Sequence, residues 1–270
     1  MAIHSTAIID RRAELDSTVE VGAYTIIEGP VQIGPGTKIY PHAYIAGWTQ
    51  IGRECQIHPF TAVGHVPQDL KYVGVRSYCR IGDHTTLREG FSVHRGTDPE
   101  SVTEIGRNCL LMANAHVAHN CKLGDEIVMT NGVLLAGYVT IGDGAVLGGG
   151  AVVHQFARIG ERTMVAGLAR VACDLPPFLM AALNNECVGV NQVGLRRAGL
   201  TPDEISEIKQ AYRALYRGPR TFRAAVEELT DSLSTPAGRR LLDFLLAPSK
   251  RGFMGPPQRG TARVADCEAV

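Results

Sequence analysis

Every sixth residue is aliphatic from Ile9 to Val63, again from Ile81 to Val93, and again from Ile105 to Val171. Of these 25 positions, 24 are Ile, Leu or Val and only Met129 departs, too regular for the chance outcome of an aliphatic-rich chain. A period of six matches neither the 3.6 of a helix nor the simple alternation of a long strand. Gly commonly follows the aliphatic residue, as at Gly22, Gly34, Gly52, Gly106 and Gly124, and Gly disfavours helix interiors. The pattern predicts one short strand per hexad, joined by tight turns, with the aliphatic side chain pointing inward. Strands stacked about 4.8 Å apart would close into a prism, and three hexads per coil would stack residues 18 apart. The period alone leaves the number of sides and the hand of the coil open, although right-handed crossovers are the general rule. Each buried aliphatic contributes roughly 1.5–3 kcal/mol, so the inward column is the main source of stability.

The register breaks twice, over His65 to Tyr78 and over Thr97 to Val102. Insertions in a repeat protein map to loops and often carry function. The repeat stops near Asp174, where Pro176 and Pro177 cannot continue a hydrogen-bonded ladder. From about Phe178 the pattern reads as helical. Thr201-Pro202-Asp203-Glu204 is a capping box with Pro at the first helical position, opening a helix to about Arg217. Thr221 caps a second helix through about Leu233, and Pro236 to Leu246 reads as a third. The expected organisation is a β-helix over 1–175 with loops at 65–78 and 97–102, a helical domain over 176–252 and a loosely ordered tail over 253–270.

Composition narrows the partners. The 270 residues carry 27 basic and 27 acidic side chains, a balance that argues against nucleic-acid binding. The seven Cys are scattered without a CxxC spacing, which predicts reduced thiols in a cytoplasmic protein. The N-terminus lacks the basic and apolar regions of a signal peptide, and no apolar run reaches the roughly 18 residues of a membrane span. Local charge is less even. Arg196, Arg197, Lys209, Arg213, Arg217, Arg220 and Arg223 outnumber Asp203, Glu204 and Glu207. Lys209, Arg213 and Arg217 fall along one helical face. That face is either simply solvated or a docking surface for an acidic partner.

Stacking at 18 residues puts Val117, Leu135 and Val153 in one column, so His116, His119, Tyr138 and His154 share one edge across three coils. Three imidazoles there admit three readings: corner histidines, a metal site, or a general base that takes a proton from a hydroxyl. The metal reading is the weakest, because no carboxylate supports the cluster in sequence. Gly137 precedes Tyr138 and has no side chain to block a substrate carbonyl, which makes its N–H a candidate oxyanion donor.

LLMANAHVAHNC (Leu110 to Cys121), QDLKYVG (Gln68 to Gly74), HRGT (His94 to Thr97) and VHQF (Val153 to Phe156) resemble the acyl-[acyl-carrier-protein]–UDP-N-acetylglucosamine O-acyltransferases, over nearly the whole chain. The resemblance implies a mainly β fold: a left-handed parallel β-helix of hexapeptide repeats with a C-terminal α-helical domain. It implies a cytoplasmic homotrimer with active sites between subunits and no cofactor or metal. The implied reaction moves an (R)-3-hydroxyacyl chain from acyl carrier protein to the 3-hydroxyl of UDP-N-acetylglucosamine, the first step of lipid A biosynthesis. By the same resemblance His119 is the general base and Gly137 the oxyanion donor. Asp69 and Lys71 position substrate, and His116, Tyr138, His154 and Gln155 line the cleft. Asn191 and Arg197 hold the nucleotide end, and Gly167 admits a long acyl chain. Carrier protein would dock at Arg196, Lys209, Arg213 and Arg217. The sequence departs from the family pattern at Asn120, where Asp is common, at Tyr138, where His is common, and at Val193, where Glu is common. These departures keep in view an N-acyltransferase acting on a 3-amino or other amino-sugar nucleotide. A metal-dependent, carbonic-anhydrase-like hydratase is the third reading.

Overall fold

The computed structural model describes residues 2–257. The chain winds as a left-handed parallel β-helix with three flat faces. Face A runs from the strand Ala2–Ile3 to Met164–Val165, face B from Ile8–Ile9 to Arg170–Val171, and face C from Glu14–Leu15 to Arg158–Ile159. Val117 lies opposite Leu135, and Leu135 opposite Val153, which is the 18-residue stacking of a three-sided coil. The aliphatic column is buried from Val21 to Val171. Gly106 shows why small residues follow it: a Cβ there would come within 2.4 Å of the Gly124 carbonyl oxygen in the next coil.

A second inward column, two residues before the first, escapes a reading based on hydrophobicity. It holds Val19, Val31, Ile127 and Val139, but also Thr25, Thr37, Thr61, Thr85, Cys55, Cys109 and Cys121, all buried. Their common property is small size plus a donor that can reach a carbonyl of the neighbouring coil. Thr37 Oγ1 donates to Gly52 O at 2.8 Å and Thr85 Oγ1 to Gly106 O at 2.9 Å. Cys121 Sγ donates to Ala136 O at 3.1 Å. The six described cysteines are free thiols; Cys267 lies outside the described residues. Burial pushes Cys79 and Cys121 up to about 12, so these thiols are inert core residues.

Both interruptions leave the prism at the same corner, between faces B and C. The first joins Ala62–His65 to Tyr78–Ile81 and the second joins Ser92–His94 to Val102–Ile105. The loops proper are therefore 66–77 and 95–101. His65, Tyr78 and Val102 belong to strands because they still pair with neighbouring coils.

The chain beyond the repeat differs from expectation at both ends. Instead of turning helical at Phe178, it forms strands Leu179–Ala182 and Glu186–Val190, an antiparallel pair that extends face A. Leu179, Ala181 and Cys187 continue the buried core there, so tertiary burial overrides the local pattern. Four helices follow among the described residues: α1 (Gln192–Arg197), α2 (Pro202–Tyr216), α3 (Phe222–Ser232) and α4 (Pro236–Leu246). Thr201 caps α2 through the reciprocal Thr201–Glu204 bonds of a capping box. The helices are fastened to the prism by Arg158, whose Nε lies 2.7 Å from Oδ2 of fully buried Asp174 and whose guanidinium lies 4.4 Å from the Phe244 ring centroid. The expected loose tail from 253 does not begin there. Phe253 bridges to Asp174 and Met254 is buried; residues 258–270 lie outside the described residues.

Candidate active site

The corner between faces B and C carries three successive features in three successive coils. The loop 66–77 leaves the first coil, the loop 95–101 leaves the second, and His119 sits on the turn of the third, just after strand His116–Val117. Gly137 and Tyr138 occupy the same turn one coil further on, and His154, Gln155 and Phe156 the next. The repeat therefore aligns the residues along the corner, and the two loops wall it.

His119 is 7% exposed. Its Nδ1 lies 3.0 Å from Asn120 Oδ1, and that oxygen also accepts the Thr97 N–H at 2.9 Å. A backbone donor identifies this Asn120 atom as the amide oxygen, so His119 Nδ1 carries the proton in the neutral ring. Nε2 is left with its lone pair, the state a general base requires. Asn120 is held in turn by its own N–H donating to Thr103 Oγ1 at 2.7 Å, in the left-handed conformation (φ 60°) that Asn tolerates. Asp69, from the first loop, places Oδ2 3.7 Å from His119 Nε2.

Gly137 faces the imidazole. A Cβ at this position would lie 2.6 Å from His119 Cε1 and 2.7 Å from Nε2, so only Gly leaves the ring in place. The Gly137 N–H has no protein acceptor among the described residues. Tyr138 turns its ring edge-on to His119, with centroids 5.3 Å apart, and stacks on Phe156 at 5.0 Å. Its hydroxyl donates to Asp98 Oδ2 at 2.7 Å. Burial, with that bond second, pushes the phenol up to about 12, so Tyr138 stays a neutral donor.

His116 projects from face B one turn before His119, with Nδ1 2.8 Å from Ser92 Oγ. It meets His94 edge-on at 4.8 Å. His94 is buried, its Nδ1 has no hydrogen-bond partner among the described residues, and burial, reinforced by the nearby imidazoles, holds it down at about 4. Burial also lowers His116. The walls of this corner are thus neutral imidazoles at ordinary pH. His154 is exposed and bonds only locally, Nδ1 lying 3.1 Å from the Gln155 carbonyl. No group of three or more His, Cys, Asp or Glu side chains among the described residues is arranged to hold a metal ion.

The structure brings Asp69, His116, His119, Gly137 and Tyr138 together, with His154 and Gln155 two coils along the same corner. Lys71 stands exposed on the first loop. It does not bring in the rest. Gly167 lies on the turn between faces A and B. Asn191 caps α1 and donates from Nδ2 to Arg162 O at 2.8 Å, near the corner between faces C and A, and Arg197 ends α1. Arg196, Arg213 and Arg217 are exposed while Lys209 is half-buried. Arg220 and Arg223 pair with Glu228 and Glu227, which reduces the local basic surplus. Sequence reasoning missed Asp98, Thr97, Ser92 and Phe156. Phe156 stands 18 residues after Tyr138, Thr97 closes the HRGT motif and Asp98 lies in the second break of the repeat, while Ser92 acts through cross-coil geometry.

Comparisons with known proteins follow the same lines. The family model described as UDP N-acetylglucosamine O-acyltransferase, domain 2, matches residues 174–254, and that of bacterial transferase hexapeptide repeats matches residues 30–65. The acyl-[acyl-carrier-protein]–UDP-N-acetylglucosamine O-acyltransferase of Syntrophobacter fumaroxidans is 42% identical over 257 residues, covering 94% of this chain and 100% of its own. Its counterpart from Gloeothece citriformis is 45% identical over 82% of this chain and 74% of its own. The solved structure of LpxA from Acinetobacter baumannii has a TM-score of 0.90 at 39% identity, covering 94% of this chain and 100% of that one.

Proposed function

The chain belongs to the acyl-[acyl-carrier-protein]–UDP-N-acetylglucosamine O-acyltransferase family, and from that premise we propose how its own residues perform the transfer. The reaction moves an (R)-3-hydroxyacyl chain from acyl carrier protein to the 3-hydroxyl of UDP-N-acetylglucosamine, the first step of lipid A biosynthesis. His119 Nε2 takes the proton of the sugar hydroxyl as its oxygen attacks the thioester carbonyl. The Gly137 N–H stabilises the oxyanion of the tetrahedral intermediate. Collapse breaks the C–S bond, and the imidazolium returns its proton to the departing thiolate. Asp69 and Lys71 position the substrate from the first loop, and Tyr138, His116, His154 and Gln155 line the cleft.

The observation that carries this reading is the Thr97–Asn120–His119 chain of hydrogen bonds. It leaves the ring in the neutral tautomer whose free nitrogen is Nε2, on the side of Asp69 and Gly137. Asn120 therefore does the orienting work that a carboxylate does elsewhere in the family.

The assembled site is a homotrimer's. Gly167 and Asn191 lie at other corners of the same prism and Arg197 on α1, so their contact with a substrate at His119 is assigned to another copy of the chain. Leu70, Val73, Leu134 and Val152 are exposed on the first loop and on face B, apolar surface that such packing would cover. Acyl carrier protein docks on the basic face of α1 and α2, and the protein works in the cytoplasm, where its thiols stay reduced. No helix among the described residues is long and apolar enough to cross a membrane.

The test is an acyl-transfer assay with hydroxyacyl carrier proteins, offering UDP-N-acetylglucosamine and its 3-amino analogue. The hydroxyl sugar is the preferred acceptor. His119→Ala lowers the rate about 10²–10⁴-fold with unchanged trimer mass and unfolding temperature. A His119→Ala enzyme of near wild-type rate would refute the mechanism.

A further inference from the structure

We propose that Arg95 is a positioning residue that sets the geometry of the base from outside the site, by clamping the first loop. Its guanidinium fills a built socket. It lies 5.7 Å from the ring centroids of both Trp48 and Tyr72. Nη1 donates to Gly64 O at 3.1 Å, while Nε and Nη2 both donate to Tyr72 Oη, at 3.2 and 2.9 Å. Its backbone N–H donates to His65 O at 3.2 Å, at the root of the same loop. Gly47, at φ +69°, leaves the room: a Cβ there would meet Arg95 Nη1 at 2.6 Å.

From this socket a chain of hydrogen bonds runs through the first loop to Asp69, whose carboxylate ends 3.7 Å from His119 Nε2. Tyr72 Oη donates to Val75 O at 2.9 Å, closing the loop on itself. The Tyr72 N–H donates to Asp69 O at 3.0 Å, and the Lys71 N–H to Asp69 Oδ1 at 2.9 Å. Asp69 then presents Oδ2 to His119 Nε2. Arg95 itself opens the second loop, in which Thr97 holds Asn120 and Asp98 holds Tyr138. One short segment, 95–98, thus braces the first loop, the tautomer of the base and the aromatic wall. A forked, planar cation suits this place, since it must lie by two rings, give two converging bonds to the Tyr72 hydroxyl and reach the Gly64 carbonyl with a third.

The inference rests on the reading of Asp69 and His119 given above, and a double-mutant cycle separates the two. Steady-state transfer is measured for Asp69→Ala, Arg95→Met and the double variant of the full chain. Displacing a positioning group by an ångström is enough for a loss of about 10²-fold, so Arg95→Met lowers kcat/KM by about 10- to 100-fold. The double variant then falls no further than Asp69→Ala alone. In Arg95→Met, amide exchange at Lys71 and Tyr72 becomes faster while that of the inward strands is unchanged. Losses that multiply in the double variant, or wild-type kcat/KM in Arg95→Met, overturn the proposal. An Asp69→Ala enzyme of full activity overturns the reading of the site together with it. Should Arg95→Met fail to fold, Tyr72→Phe removes the shared acceptor together with the hydroxyl's own bond to Val75 O; it gives a loss with the same masking by Asp69→Ala, and additivity there is equally fatal.

Discussion

Two corners of the prism use the same backbone and reach different ends. At the corner between faces A and B, the third residue after the inward aliphatic is Tyr24, His42 and Phe60 in successive coils, each with positive φ. Their rings stack at 5.2 and 5.3 Å and remain exposed to solvent. At the corner between faces B and C, the same hexad position holds Asn120, Tyr138 and Phe156, again with positive φ and again with a ring stack. Here the column is engaged: Asn120 with His119 and Thr97, Tyr138 with Asp98. The coil thus supplies equivalent stations on every corner. The proposed chemistry lies where two insertions fold back over one of them and bury its polar groups, so that each bond they make is stronger and more directional.

That contrast can be broken or sharpened by substitution. The largest effect is expected at Gly137. Gly137→Ala drives a methyl into the His119 ring and lowers kcat about 10²-fold or more, while circular dichroism and oligomeric mass stay as in the parent; a rate within a few-fold of the parent would remove Gly137 from the site. Asn120→Ala comes next. It deletes one acceptor for His119 Nδ1–H, a bond worth about 0.5–1.5 kcal/mol, so kcat should fall roughly three- to tenfold, and an unchanged rate would mean the ring is held by packing alone. Tyr138→Phe is milder, losing only the hydroxyl bond to Asp98, and a loss of a few-fold at most is expected. Tyr24→Phe, at the same hexad position on the bare corner, should leave the rate untouched. Equal losses in the two variants would erase the distinction between the corners.

The smallest effect is silent at neutral pH. His94 is held at about 4 in the folded chain against an ordinary 6.5. Between those values the unfolded chain binds the proton that the folded chain refuses, so stability falls as pH drops from 6.5 towards 4 and the loss levels off below that. His94→Gln should show a shallower decline of unfolding temperature over this window than the parent. Parallel declines would mean that other groups dominate.

The repeat, its inward column and its two interruptions were legible in the sequence because burial enforces them at a fixed spacing. The capping box at Thr201 was legible because it is local. His119, Gly137 and Tyr138 could be aligned from the 18-residue interval alone. The strands at Leu179–Ala182 and Glu186–Val190 were not legible, since they form only by adding to an existing sheet edge. Nor was the packing of Phe253 and Met254 against the prism, which depends on contacts with a distant segment.

What the sequence by itself determined is therefore the repeating strand: a period of six fixes which residues face inward and which lie on turns, and once three hexads make a coil it places every corner residue. The tertiary structure decided which corner carries the proposed site. Asp69, Thr97, Asp98 and Arg95 have no periodic relation to His119, and they gather around it, Asp69 beside the ring and the others through Asn120, Tyr138 and the first loop, because two loops of unrelated length return to the same turn. A hydrogen bond depends on tenths of an ångström, whereas a hydrophobic period specifies only a face, so the tautomer of the base and the clamp upon its loop could be read only in three dimensions.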